Sequence, residues 1–196
     1  MLNLVMHPKG SINYKIALAY HLQANLGHVL LQDKEIRDRL LQLDQNIEAT
    51  WKEMVSIGVV RECRNCAIKD GSCCGAGMEN NYDEVLLLIN LLLGRTLPSQ
   101  AYDTNSCYFL GENGCLLRAR EVICVNYLCQ RISRSIQKEK LIHLQKIAGE
   151  ELNTLFMLEN HIKKWIISKK VGEMMRIQGF EGSRVQVEKS IIHLFT

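Results

Sequence analysis

The sequence predicts a mainly α-helical protein. Two helical arms form a bundle, and an irregular cysteine-rich metal-binding module, with a small hairpin, is inserted between them. Three observations lead there. Apolar residues recur at intervals of three and four in both end regions. All eight cysteines lie between Cys63 and Cys129. Only two prolines occur, and neither interrupts a long periodic segment. The 196 residues suffice for one domain, or for one domain with an insertion, and for a sizeable core.

The N-terminal arm, residues 1–60, reads as two helices. "INYKIALAYHLQANLG" has mixed apolar spacing and reaches Gly27, where a helix often stops. Ile36, Leu40, Leu43, Ile47, Trp51 and Met54 then follow at helical spacing, with Gly58 as the stop. The C-terminal arm, residues 132–196, repeats this grammar and should pack on the first. Leu141, Leu144, Ala148, Leu152, Leu155, Ile162 and Trp165 or Ile166 mark a helix of about thirty residues. Lys169 and Lys170 before Gly172 suit its end. "SRVQVEKSIIHLF" is read as a short last helix capped by Ser183.

The middle, residues 61–131, carries the chemistry. Cys63-x2-Cys66 has the spacing at which a tight turn aims two sulfurs at one ion. Cys73 and Cys74 follow, with Gly71 and Gly75 around them to permit a tight backbone. "NNYDEVLLLINLLLGRTLP" reads as one buried core helix, begun near Asn81 or Asp83 and stopped by Gly94. "CYFLGENGCLLR" reads as a hairpin whose loop is Gly111-Glu112-Asn113-Gly114, carrying Cys107 and Cys115. "CVNYLC" supplies Cys124 and Cys129. Five residues apart, they would lie about 140° apart on a regular helix. So either the segment is not helical throughout, or the two sulfurs serve different sites. Adjacent Cys73 and Cys74 likewise face two sites, or one of them bridges.

The order Cys63-x2-Cys66, Cys73-Cys74, "CYFL", "NGC" and "REVICVNYLC" resembles the zinc- or iron-chelating cysteine-cluster family, the YkgJ-like proteins. The resemblance covers residues 61 to 131. Six residues separate Cys66 from Cys73 where that family has two, and Ala119-Arg120-Glu121 stands where it has Arg-Pro. The resemblance implies that Cys63, Cys66, Cys73, Cys74, Cys107, Cys115, Cys124 and Cys129 bind metal or an iron–sulfur cluster. A flagellin lysine methylase carries a similar cluster, which adds methyl transfer to the reactions the resemblance implies.

The spacings themselves weigh iron against zinc. All-cysteine zinc sites usually use two C-x2-C knuckles, and this chain has one. Irregular spacing suits an iron–sulfur cluster, which is ranked ahead, although the C-x2-C-x2-C run of bacterial ferredoxins is absent. Eight thiolates also suffice for two zinc ions. The expected functions are therefore a cluster protein, redox or cluster-supported in catalysis, or a structural zinc protein whose helices bind a partner. Arg61, Arg64, Lys69, Arg118, Arg120 and Arg131 flank the cysteines and are positioned to offset thiolate charge. Tyr108 and Phe109 are expected to pack around the site.

Other chemistries find little support. His7, His21, His28, His143, His161 and His193 all lie outside the cysteine-rich stretch and are not taken as ligands. There is no phosphate-binding Gly-rich loop, no Gly-x-Ser-x-Gly and no His-Glu-x-x-His. Glu150–Glu151 and Asp83–Glu84 are read as solvated pairs, and Lys163, Lys164, Lys169 and Lys170 as a solvated face. A net charge of +3 gives no strong nucleic-acid signal. The apolar run "VLLLINLLL" is too short to span a bilayer. No signal peptide is recognised, so the expected compartment is the cytoplasm, where thiols favour metal over disulfides. The expected partner is an unidentified protein or redox partner.

Overall fold

The computed structural model describes residues 10–70 and 73–178, and these are mainly helical. The helix expected after Ser183 lies outside them, as do Gly71, His7 and His193. No helix among the described residues is long and apolar enough to cross a membrane.

Helix α1, Ile12–Gln32, starts where the Ser11 side chain accepts the Tyr14 N–H. It does not stop at Gly27. That residue is buried, and a Cβ there would stand 3.3 Å from Gln23 Cγ and 3.9 Å from Leu92 Cδ2. Close packing outweighs the roughly 1 kcal/mol that glycine costs inside a helix. Extended Asp33 makes the break instead, and its carboxylate caps α2, Lys34–Ser56, by accepting the Ile36 N–H at 3.0 Å. The buried stripe of α2 is Ile36, Leu40, Leu43, Ile47, Thr50 and Met54. Trp51, expected in that stripe, is 43% exposed. Gly58, with φ of +90°, ends the segment as expected.

Helix α3, Val59–Asp70, contains Cys63 and Cys66. Helix α4, Glu84–Leu92, is capped by Asp83 and followed by Gly94 at φ +79°. The hairpin forms, with strand β1, Leu110–Gly111, antiparallel to β2, Gly114–Cys115, but Gly111 pairs with Gly114, so its loop is Glu112–Asn113 and not the four residues expected. Two short helices, α5 Val122–Asn126 and α6 Gln130–Ser135, lead into α7, Lys138–Gln178. Helix α7 is longer than expected and runs through Gly172, so the Lys169–Lys170 pair marks no terminus.

Helices α1, α2, α4 and α7 share the main core, so the two arms do pack together. The segment 61–131 gives α4 to that core, and its cysteine-bearing stretches run around it. Seven consecutive residues of α4, Val85 to Leu91, are buried. The one polar member, Asn90, is fully satisfied. Its amide N–H groups reach the Leu86 and Ala119 carbonyls, and its oxygen accepts the Arg118 and Ala119 N–H groups at 2.8 and 3.0 Å. Asn90 thereby pins residues 118–119 to the bundle. A smaller core joins Met54, Val59, Ile132, Leu141 and Leu144 where α3 and α6 meet the arms.

Candidate metal centre

The eight cysteines fall into two neighbourhoods. Cys74, Cys107, Cys115 and Cys124 line one cavity of about 50 Å³, together with Met78, Tyr82, Leu110 and Arg120. The backbone builds this inner group. The Cys107 N–H donates to the Cys74 carbonyl at 2.8 Å, and Gly75 bridges to Ser106, so two loops run antiparallel there. The hairpin pairs Leu110 with Cys115. The short helix α5 presents Cys124, whose sulfur accepts the Tyr82 hydroxyl at 3.8 Å. That hydroxyl also accepts the Glu121 N–H, and the Tyr82 ring stacks edge-on against the buried Phe109.

Burial pushes the Cys107 thiol up to about 11, against a hydrogen bond from the Phe109 N–H that favours the thiolate. Cys115 retains some open surface, yet desolvation of its thiol raises its pKa, opposed by the Leu117 N–H and by the Arg120 charge. Cys124 is likewise raised by burial and lowered by Tyr82 and Arg120. Backbone amides aimed at sulfur, a guanidinium at the wall and a partly dry interior are the surroundings in which thiolates hold a metal.

The outer group comprises Cys63, Cys66, Cys73 and Cys129. Cys63 and Cys66 lie one turn apart on α3, so a helix, not the expected tight turn, brings their sulfurs to one side. Cys129 precedes α6, which packs on α3. Cys63 keeps open surface, yet partial desolvation of its sulfur first, then the charges of Cys73, Cys129, Cys74 and Cys66, push its thiol up to about 11. Cys73 is raised by burial and then by Cys74, Cys129 and Cys66. Cys74 is felt by both groups, so the adjacent pair stands at their junction. Cys124 and Cys129 are separated by a break between helices and belong to different groups. Gly75 sits in the bridge to Ser106, and Gly77 beyond it takes a left-handed φ of +97°.

No cysteine is joined in a disulfide. Among the described residues, no three His, Cys, Asp or Glu side chains converge closely enough to grip an ion as they stand. The inner thiols surround their cavity instead of meeting at a point. Its volume is far below the roughly 300–1,000 Å³ of an organic-ligand pocket. It is ample for an ion, since about 10–15 Å³ holds a water molecule.

The flanking cations divide. Arg120 faces the inner thiols, whereas Arg118 is turned to α2, at 2.7 Å from Asp44 and 3.3 Å from Glu48. Arg61 lies 3.6 Å from Glu62, and Arg64 is exposed. His21, His28 and His143 are exposed, and His161 sits 3.3 Å from Glu35, so none is placed among the thiols. Two charged expectations are corrected. Lys163 is not merely solvated but pairs with Asp83 at 2.7 Å, and Glu151 is fully buried. Tyr82 and Asn90 support the site and were not singled out in the sequence, where Glu151 was read only as one of a solvated pair. A polar residue inside an apolar helical stripe was the available signal for Asn90 and Glu151.

Comparison with protein-family models, with curated proteins and with solved structures finds no match to this chain.

Proposed function

We propose that this is a metal-binding protein whose inner thiols, Cys74, Cys107, Cys115 and Cys124, hold an iron–sulfur cluster, used in electron transfer or cluster-supported catalysis. The outer thiols, Cys63, Cys66, Cys73 and Cys129, form a second metal site of the same module. The observation that carries this reading is the inner cavity. Four sulfurs line it, two of them receive main-chain N–H bonds, and one cation faces them. The donor set fits a thiophilic metal, and hydrogen bonds to sulfur are a principal control of cluster potential. The irregular cysteine order, and its resemblance to the YkgJ-like family, support the same reading. A cytoplasmic location, where thiols stay reduced, belongs with it.

A second reading rests on the cavity's small size, which leaves no room for an organic substrate beside a metal. In that reading both groups hold zinc, four thiolates each, and serve to build the fold while the helices bind a partner.

Elemental analysis with an absorption spectrum, on protein purified without oxygen, separates the two. Iron with acid-labile sulfide and a broad visible band is the expected result. About two zinc ions per chain without colour would replace the first reading by the second. Neither metal would overturn both.

A further inference from the structure

Tyr82 stands immediately before the Asp83 cap of α4 and is 1% exposed. Its ring is held edge-on against Phe109, with the centroids 5.0 Å apart. It lines the inner cavity alongside Cys124. Two groups meet its hydroxyl oxygen: the Glu121 N–H donates to it at 3.3 Å, and Cys124 sulfur lies 3.8 Å away. These contacts fix the direction of the second bond. A phenol has one proton to donate, and with an ordinary pKa of about 10 it keeps that proton at neutral pH. A main-chain N–H can only donate, and a thiolate can only accept. The hydroxyl proton therefore goes to Cys124 sulfur. Packing does not call for that hydroxyl, because phenylalanine would fill the same space against Phe109 without taking a polar atom out of water. The bonds to Cys107 and Cys115 come from main-chain N–H groups, which any side chain would supply. The donor to Cys124 is a side chain, and so depends on the residue that stands at this position.

We propose that Tyr82 is a positioning residue that sets the reduction potential of the inner site: its hydroxyl donates to Cys124 sulfur and favours the more negative, reduced form. The inference rests on the iron–sulfur reading of the inner cavity. When one electron enters a site held through Cys124, negative charge on that sulfur grows, and a hydrogen bond to it strengthens. The proton stays on the tyrosine oxygen, so one electron is gained and no bond is broken.

The test uses the full chain carrying Cys63→Ser and Cys66→Ser, so that the cluster is confined to the inner group. The chain is reconstituted with ferrous iron and sulfide without oxygen, and its midpoint potential is read by titration with dithionite as the electron donor. Tyr82→Phe is expected to lower the potential by about 30–60 mV, a three- to tenfold smaller one-electron reduction constant at about 59 mV per tenfold. Tyr108→Phe is the matched control. Its ring also stacks on Phe109, but its hydroxyl donates to Asn13 at 2.8 Å. It should keep the parent's potential. A Tyr82→Phe potential at or above the parent's, or a fall matched by Tyr108→Phe, overturns the role given to Tyr82. So does a Tyr82→Phe chain that assembles no cluster, because the hydroxyl would then serve assembly and not potential. A parent that assembles no cluster overturns the iron–sulfur reading itself, and the two failures are thereby distinct.

Discussion

The inner and outer cysteine groups differ in what holds them. The inner four stand on short, irregular pieces: two loops, a hairpin and one turn of helix. None of these pieces would be stable alone, and those at residues 118–119 and Cys124 are tied to α4 or to Tyr82 just before it. Asn90 clamps residues 118–119, Asp83 caps the helix, and Tyr82 reaches Cys124. The outer four stand on or beside regular helices, α3 and α6, backed only by the smaller core. Irregular backbone is costly to order, so it is found where it aims amides and side chains at one place. The difference teaches that the inner group is built into the folding of the bundle, whereas the outer group is appended to it.

The strongest way to break this comparison is to delete one thiol from each group. Cys107→Ser should abolish inner metal and lower the melting temperature markedly, because Cys107 is buried in the main core. Cys63→Ser should cost outer metal and leave the melting temperature nearly unchanged, because Cys63 is exposed. Cys66→Ser should lose the same outer metal. Metal content and thermal unfolding of the three variants check this. Equal losses of stability would mean that the two groups are not held differently.

Next in size is Asn90→Ala. It leaves the Arg118 and Ala119 N–H groups and the Ala119 carbonyl without their buried partner. The expected loss is roughly 3–5 kcal/mol by urea unfolding. Inner metal should weaken and outer metal should not. A loss below about 1 kcal/mol would show that water replaces the clamp, and would detach the inner loops from α4.

The sequence made the helices legible and their polar contacts obscure, for one physical reason. Periodicity reports which face is buried only as long as the buried residues are apolar. On α2 the apolar spacing points to Trp51 where Thr50 is buried, and on α7 to Leu152 where Glu151 is buried. Both errors are shifts of one residue, toward the apolar neighbour, and the two polar residues belong to the same α2–α7 interface. Gly27 failed as a stop because a helix pressed against neighbours tolerates the roughly 1 kcal/mol cost of glycine, and α7 also runs on through Gly172. The cysteine positions were legible as a set. Their division was not, because it depends on backbone that turns between Cys73 and Cys74 and breaks between Cys124 and Cys129.

Acidity supplies a third test. Burial, then the Asp83 charge, pushes Glu159 up to about 7 from its ordinary 4.5, against the pull of Lys163. Its folded value is the higher one, so its contribution to stability is fully present below about 4.5 and is lost as pH rises through about 7. Glu159→Gln should remove that loss, worth at most about 3 kcal/mol. Unfolding measured from pH 4 upward, about the full window, checks it. Because Asp83 caps α4, the dependence should be read in the inner region first. A variant with the parent's pH profile would place the titration elsewhere.

The smallest effect sharpens the comparison most. Tyr82→Phe removes one hydroxyl and keeps the ring that stacks on Phe109. The hydroxyl accepts the Glu121 N–H and donates to Cys124 sulfur, so it joins the start of α5 to the inner thiols. Its loss should cost about 1–2 kcal/mol of stability. Tyr82 makes no bond to the outer group in this arrangement, so Cys63 and Cys66 give an internal control. Alkylation of Cys124 by iodoacetamide in the metal-free chain, mapped by peptide mass, should slow in the variant, because the hydroxyl favours the reactive thiolate. Alkylation of Cys63 should keep its rate. If both thiols change together, the hydroxyl is holding the whole cysteine-rich stretch, and the inner and outer groups form one cooperative unit.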